Sequence, residues 1–346
     1  MYQHGGDIYT NKNMIDYSAN INPFGMPESV RQAAKEAVDA AICYPDVQCR
    51  VLKEAIAKKE GVSIEHIFCG NGAADVIFAL VHARMPKHAL LPVPSFYEYQ
   101  QALNSVHCKN VFYQMEEKDG FALRRDILDQ ITPNIDMIFI CNPNNPTGVL
   151  TEVSLLEEIL HKCERTDTLL VLDECFIDFL PEQERHSMMS WAERSDALFL
   201  LKAFTKMYAM PGLRLGYGIC CCGALIDQME RVSQPWRVSV PAQEAGTAAC
   251  KEVQFVEDSR REILKQKQIM IRSMQKMGYQ IYGSEANYIF FEGEHHLCDQ
   301  MKAKGFLIRD CSNYQGLHAG FYRIAVRQEA DNQAFLKALE EVHKMI

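Results

Sequence analysis

The stretch Lys202-Ala-Phe-Thr-Lys206-Met-Tyr-Ala-Met-Pro-Gly212-Leu-Arg214-Leu-Gly216-Tyr carries the most chemically suggestive spacing in the chain. Lys206 follows an apolar run and precedes a Pro-Gly turn. A lysine at a strand end in apolar surroundings has a depressed pKa, and its neutral amine can form an imine with a carbonyl. Arg214 follows a few residues later. A phosphorylated aldehyde needs both groups, an amine for the carbonyl and a guanidinium for the phosphate. Taken alone, the same residues read equally well as a surface lysine and a strand arginine.

Three other stretches bear on this choice. Asn142-Pro-Asn144-Asn145-Pro146-Thr147-Gly148 follows an apolar run and would close a strand as a turn. Leu170-Val-Leu-Asp173-Glu174 places an aspartate at the end of the next run, where α/β sheets present ligand-contacting groups, although a helix cap is the plainer reading. Cys69-Gly70-Asn71-Gly72-Ala73-Ala74-Asp75 joins a strand to a helix, and its small residues expose backbone N–H groups suited to an anion. Each signal is weak singly. Four in this order, each after a strand, are strong.

Together these motifs resemble the pyridoxal-phosphate enzymes of the aspartate-aminotransferase fold, along the whole chain. The resemblance implies that Lys206 holds the cofactor as an imine, that Asp173 pairs with the pyridine nitrogen, and that Asn145 donates to the ring hydroxyl. It implies Ala73, Ala74, Thr205 and Arg214 around the cofactor phosphate and Phe96 stacked on the ring. Tyr44, in Tyr44-Pro-Asp46, would reach the phosphate of a neighbouring subunit, which implies a homodimer with shared sites. For Phe96 and Tyr44, plain packing is an equal reading. The fold implied is α/β: a large domain with a mostly parallel sheet between helices, and a smaller α+β C-terminal domain. Lys202, where the family usually has arginine, and Ala203, where a hydroxyl often meets the phosphate, depart from the pattern.

Within this family two branches compete. His4-Gly5-Gly6, Tyr17-Ser-Ala-Asn-Ile-Asn22-Pro, Phe176, Gln234-Pro-Trp236 and Arg309-Asp-Cys-Ser-Asn313-Tyr314-Gln-Gly316-Leu317 resemble the threonine-phosphate decarboxylase branch more than the histidinol-phosphate aminotransferase branch. The expectation is decarboxylation of O-phospho-L-threonine to (R)-1-amino-2-propanol O-2-phosphate in cobalamin biosynthesis. Arg323 would take the α-carboxylate, Arg309 the substrate phosphate, and His4 and Asn22 would lie against the substrate. The alternatives are transamination of histidinol phosphate and a non-catalytic pyridoxal-phosphate-binding sensor.

The elements that must position these residues alternate. Short apolar runs at 64–69, 88–93, 135–141, 168–173 and 197–201 read as buried parallel strands, with helices at 73–84 and 152–163 between them. After Val240 the texture changes. Residues 256–277 form one amphipathic helix with Ile263, Met270, Met274 and Met277 on one face. Strands at 287–292, 305–309 and 321–326 follow, with helices from His295 and Asn332. The expected units are an N-terminal arm (1–26) packing on the small domain and active site, a large cofactor domain (27–240) and a small domain (241–346).

Composition agrees with a globular enzyme. In 346 residues, 48% are hydrophobic and 23% charged. A net charge of −9 without a basic run argues against nucleic acid and anionic membrane as partners. No apolar stretch approaches the ~20 residues of a membrane helix, and the first residues are polar. Thirteen scattered cysteines, an odd count, read as reduced thiols in a cytoplasmic enzyme. Cys220-Cys221-Cys222 and His295-His296-Leu-Cys298 read as buried thiols along a strand and a solvated helix start, not as metal sites.

Overall fold

Residues 4–344 are described by a computed structural model; the first three residues of the expected arm lie outside them. The apolar runs become strands buried along almost their whole length, as two covered faces require. A two-residue strand β1 (Ile15–Asp16) and helices α1 (Glu28–Asp39) and α2 (Arg50–Glu60) come first. The main sheet then uses β2 (Ile67–Gly70), β3 (His88–Val93), β4 (Lys109–Gln114), β5 (Met137–Cys141), β6 (Leu169–Asp173), β7 (Leu198–Ala203) and β8 (Gly216–Ile219). Their spatial order is β2-β8-β7-β6-β5-β3-β4. All neighbours are parallel except β8, which runs antiparallel to β2 and β7.

Helices α3 (Ala73–Arg84), α4 (Tyr97–Ser105) and α5 (Val153–Thr166) connect these strands, and α6 (Gly223–Val232) and α7 (Val240–Ala249) follow them. Helix α7 packs against α1 and α2. The long helix α8 (Val253–Lys276) buries Ile263, Met270 and Met274, as the spacing predicts. Beyond it come β9 (Gln280–Tyr282), β10 (Tyr288–Glu292), α9 (Leu297–Ala303), β11 (Phe306–Leu307), β12 (Arg309–Asp310), β13 (Phe321–Ala325) and α10 (Glu329–His343). Four of these strands form an antiparallel sheet in the order β12-β13-β10-β9.

The expected strand at 305–309 is two. β11 pairs in parallel with β1, whereas β12 pairs with β13. The start of the chain is thereby fastened to its end. Tyr17 receives a backbone bond from Ala325, its hydroxyl donates to Asn332 Oδ1 at 3.1 Å, and its ring stacks on Phe335 at 4.4 Å. Residues 64–66 are a 3₁₀ turn, so the strand begins only at Ile67. The three consecutive cysteines lie past the end of β8, with Cys222 capping α6, and not along a strand.

Candidate active site

Parallel strands bring their C-terminal ends to one edge, and that edge is where the chemistry gathers. The Asn142–Gly148 turn leaves β5, Asp173 ends β6, and Lys206 lies just beyond β7. From the β2–α3 junction come Ala73 and Ala74, and from the entrance of α4 comes Phe96. All border one cavity of about 270 Å³. Thr205 and Arg214 line the same space. Across it stand Arg309 on β12, Arg323 on β13, and His4 from the N-terminal segment.

Lys206 is held in a setting that favours the free amine. Burial, reinforced by the nearby charges of Arg323 and Arg214, pushes its pKa down to about 8. Its Nζ lies 5.7 Å from the centre of the Phe176 ring, which offers no hydrogen-bonding group. Asp173 is fully enclosed. Burial raises its pKa, opposed by the Cys175 N–H at 2.9 Å and the Tyr99 hydroxyl at 2.5 Å.

The surroundings fit pyridoxal phosphate. A Cβ on Gly72 would lie 2.3 Å from the Arg214 guanidinium, and one on Gly216 would lie 2.5 Å from the Ala73 nitrogen. Glycine at both places lets Arg214 and the first amides of α3 close around one small volume, a cup for a phosphate. Asn145 Oδ1 is taken by Arg323 Nη1, which leaves the Nδ2 amide as the donor for a ring oxygen. Ala203 also borders the cavity but supplies no hydroxyl, so a phosphate there would have Thr205, Arg214 and the main chain as its available donors.

Arg309 and Arg323 are direct cross-strand partners in the β12–β13 register. Like charges in that relation are unfavourable unless anions or acceptors intervene. Arg309 donates to Asp310 O at 2.7 Å and Asn313 Oδ1 at 2.8 Å. Arg323 also donates to Ser18 O at 2.9 Å, while its buried Nε has no partner among the described residues. Two guanidiniums beside one lysine suit a substrate with two oxyanions.

Asn22 and Lys202 are placed differently from the sequence reading, whereas Tyr44, expected to act across a subunit interface, is untested by a single subunit. Asn22 does not line the cavity. Its Nδ2 donates to Met207 O at 2.8 Å and Ser259 Oγ at 2.9 Å, and its backbone N–H donates to Lys206 O, so Asn22 braces the loop that carries Lys206. Lys202 faces away from the phosphate cup: its Nζ donates to Glu60 Oε2 at 2.9 Å, within a buried group that includes Lys59 and Tyr217. Tyr44 is largely exposed and stacks on Trp236 at 4.6 Å, outside this subunit's cavity. Sequence reasoning missed Glu98, Tyr99 and Tyr314. Tyr99 stands one helical turn after Phe96, which was the available signal. Among the described residues no group of three or more His, Cys, Asp and Glu side chains is arranged for a metal.

A seven-stranded sheet that delivers a lysine, an aspartate and an asparagine to one edge, above a glycine-lined anion cup, defines a pyridoxal-phosphate enzyme of fold type I. Residues 12–339 match the family described as aminotransferase class I and II, and the chain belongs to it. It is 34% identical to a threonine-phosphate decarboxylase of Salmonella typhimurium over 98% of this chain and 96% of that protein. Among solved structures it is similar to a histidinol-phosphate aminotransferase of Clostridium acetobutylicum (TM-score 0.90, 28% identity, 96% of this chain and 100% of that one). It is likewise similar to an L-threonine-O-3-phosphate decarboxylase of Porphyromonas gingivalis (TM-score 0.84, 25% identity, 96% and 100%).

Proposed function

We propose that this protein decarboxylates O-phospho-L-threonine to (R)-1-amino-2-propanol O-2-phosphate. The observation that carries the reading is the pairing of Arg309 with Arg323 across one register, both facing Lys206 over a single cavity. A single substrate bearing phosphate and carboxylate satisfies both, and the identity to the Salmonella enzyme agrees. When bound, the cofactor supplies an electron sink for the pair left as the Cα–carboxylate bond breaks. Arg323 holds the carboxylate in the orientation from which it leaves as carbon dioxide. Lys206, whose Nζ alternates between amine and ammonium near neutral pH, returns a proton to Cα. Asp173 would pair with the ring nitrogen; Asn145, Ala73, Ala74, Thr205 and Arg214 would hold the ring and its phosphate, and Phe96 would lie against the ring.

We also propose a homodimer in which Tyr44 serves the partner's cofactor phosphate. Ile42 and Tyr44 are 93% and 79% exposed, beside Trp236, an apolar patch that a partner would cover. The free cysteines fit a reducing, cytoplasmic location. No helix among the described residues is long and apolar enough to cross a membrane.

Transamination of histidinol phosphate is the second reading, favoured by the TM-score of 0.90 to an enzyme of that name. Parallel assays separate the two. Carbon dioxide from phosphothreonine without a 2-oxo acid is the expected result. Glutamate from histidinol phosphate and 2-oxoglutarate, with no carbon dioxide from phosphothreonine, would replace the decarboxylase reading.

A further inference from the structure

Glu98 is an acid placed among the cavity's cations. It sits in the first turn of α4 and borders the cavity together with His4, Arg309, Tyr314 and Lys206. Its Oε1 lies 3.4 Å from His4 Nδ1, and its buried Oε2 has no hydrogen-bond partner among the described residues. An ionised carboxylate would leave that oxygen uncompensated, which is costly away from water. It would also repel a substrate phosphate drawn to Arg309.

We propose that Glu98 binds the substrate phosphate as the neutral acid, donating a hydrogen bond alongside Arg309, so that phosphorylated ligands enter together with one proton. This rests on the reading of Arg309 as the phosphate ligand. A neutral carboxyl is a donor where the carboxylate is only an acceptor, so protonation turns Glu98 from an obstacle into a ligand.

The groups facing Glu98 set its proton affinity. Burial pushes its pKa up to about 7; its own backbone N–H, then Lys206 and Arg309, oppose this, and Asp173 adds to it. Burial and Arg309 keep the neighbouring His4 below its ordinary value, so His4 does not compete for the proton near pH 7. Tyr314, buried and held protonated, adds no charge. An arriving phosphate adds negative charge and drives Glu98 further toward the acid. Affinity for a phosphate ester therefore falls about tenfold per pH unit above 7, where each binding event must take up one proton.

Titration calorimetry of the cofactor-loaded wild-type enzyme at pH 8, in buffers of different ionisation enthalpy, counts that proton directly. The decarboxylated ester (R)-1-amino-2-propanol O-2-phosphate, which cannot turn over, histidinol phosphate without a 2-oxo acid, and unphosphorylated L-threonine are the ligands. We expect uptake of about one proton with either phosphate ester and none with threonine. In Glu98→Gln, which keeps a donor without a titration, the uptake should vanish and the affinity should no longer fall above pH 7. Binding of the esters without uptake, uptake that persists in Glu98→Gln, or failure of both esters to bind would each overturn the proposal. The wild-type count stands even if the variant folds poorly. Because histidinol phosphate is included, a failed decarboxylase reading remains distinguishable: the proton count would survive while carbon dioxide release would not.

Discussion

The Tyr99 hydroxyl donates a 2.5 Å hydrogen bond to Asp173 Oδ2, joining the first turn of α4 to the end of β6. Asp173 is buried and resists ionisation, so each donor to its carboxylate matters. Tyr99 is thus a positioning residue for the group proposed to hold the ring nitrogen. Tyr99→Phe removes a hydrogen bond to a charged group, about 1.5–3 kcal/mol. Affinity for pyridoxal phosphate should fall by about tenfold to a hundredfold. Equilibrium dialysis checks this, and an unchanged affinity would show that Cys175 alone suffices.

Phe176 presents an apolar ring beside Lys206 where a tyrosine would present a hydroxyl. Phe176→Tyr should stabilise the deprotonated cofactor-bound form of Lys206 by one added hydrogen bond to a charged oxygen. The absorbance titration of the cofactor-loaded enzyme should move down by about one pH unit or more. A superimposable titration would place the new hydroxyl out of reach.

If Ile42, Tyr44 and Trp236 are covered by a second copy, a charge there breaks the contact. Ile42→Asp should sediment as a monomer at micromolar concentration and lose cofactor affinity. Tyr44→Phe should keep the dimer but raise the cofactor dissociation constant about tenfold or more, for one lost charge-assisted bond. A fully active monomer at these concentrations would count against the shared site.

Glu60 answers two lysines, the buried Lys202 at 2.9 Å and the half-buried Lys59 at 2.6 Å. Burial alone would raise its pKa, but the charges of Lys202 and Lys59 outweigh it and hold the carboxyl well below the usual range. The sign follows from that depression: the stabilisation is full above the ordinary glutamate value and is lost as pH falls through the folded value. Glu60→Gln strands Lys202 and should cost about 3–5 kcal/mol near pH 7. Chemical denaturation should show this deficit shrinking in acid, below about pH 4. An equal deficit at every pH would exclude the ionic explanation.

The sequence by itself determined the chemistry along one sheet edge. Lys206, Asp173, Asn145 and the Gly70–Ala74 loop each follow an apolar run, and a strand followed by a turn is a local pattern that periodicity exposes. Parallel strands then bring such positions together. What only the tertiary structure decided are relations between distant parts of the chain. Lys202 finds its counterion in Glu60, 142 residues away, and so turns from the phosphate cup to the protein interior. Asn22 spends its amide on Met207 and Ser259 and braces the Lys206 loop instead of meeting a substrate. The run at 305–309 divides between two sheets because β11 pairs with β1, which sets Arg309 opposite Arg323. Glu98 reads in sequence as a favourable acid in a first helical turn. Its unpaired oxygen and its place among His4, Lys206 and Arg309 arise from burial and neighbours, which no local spacing encodes.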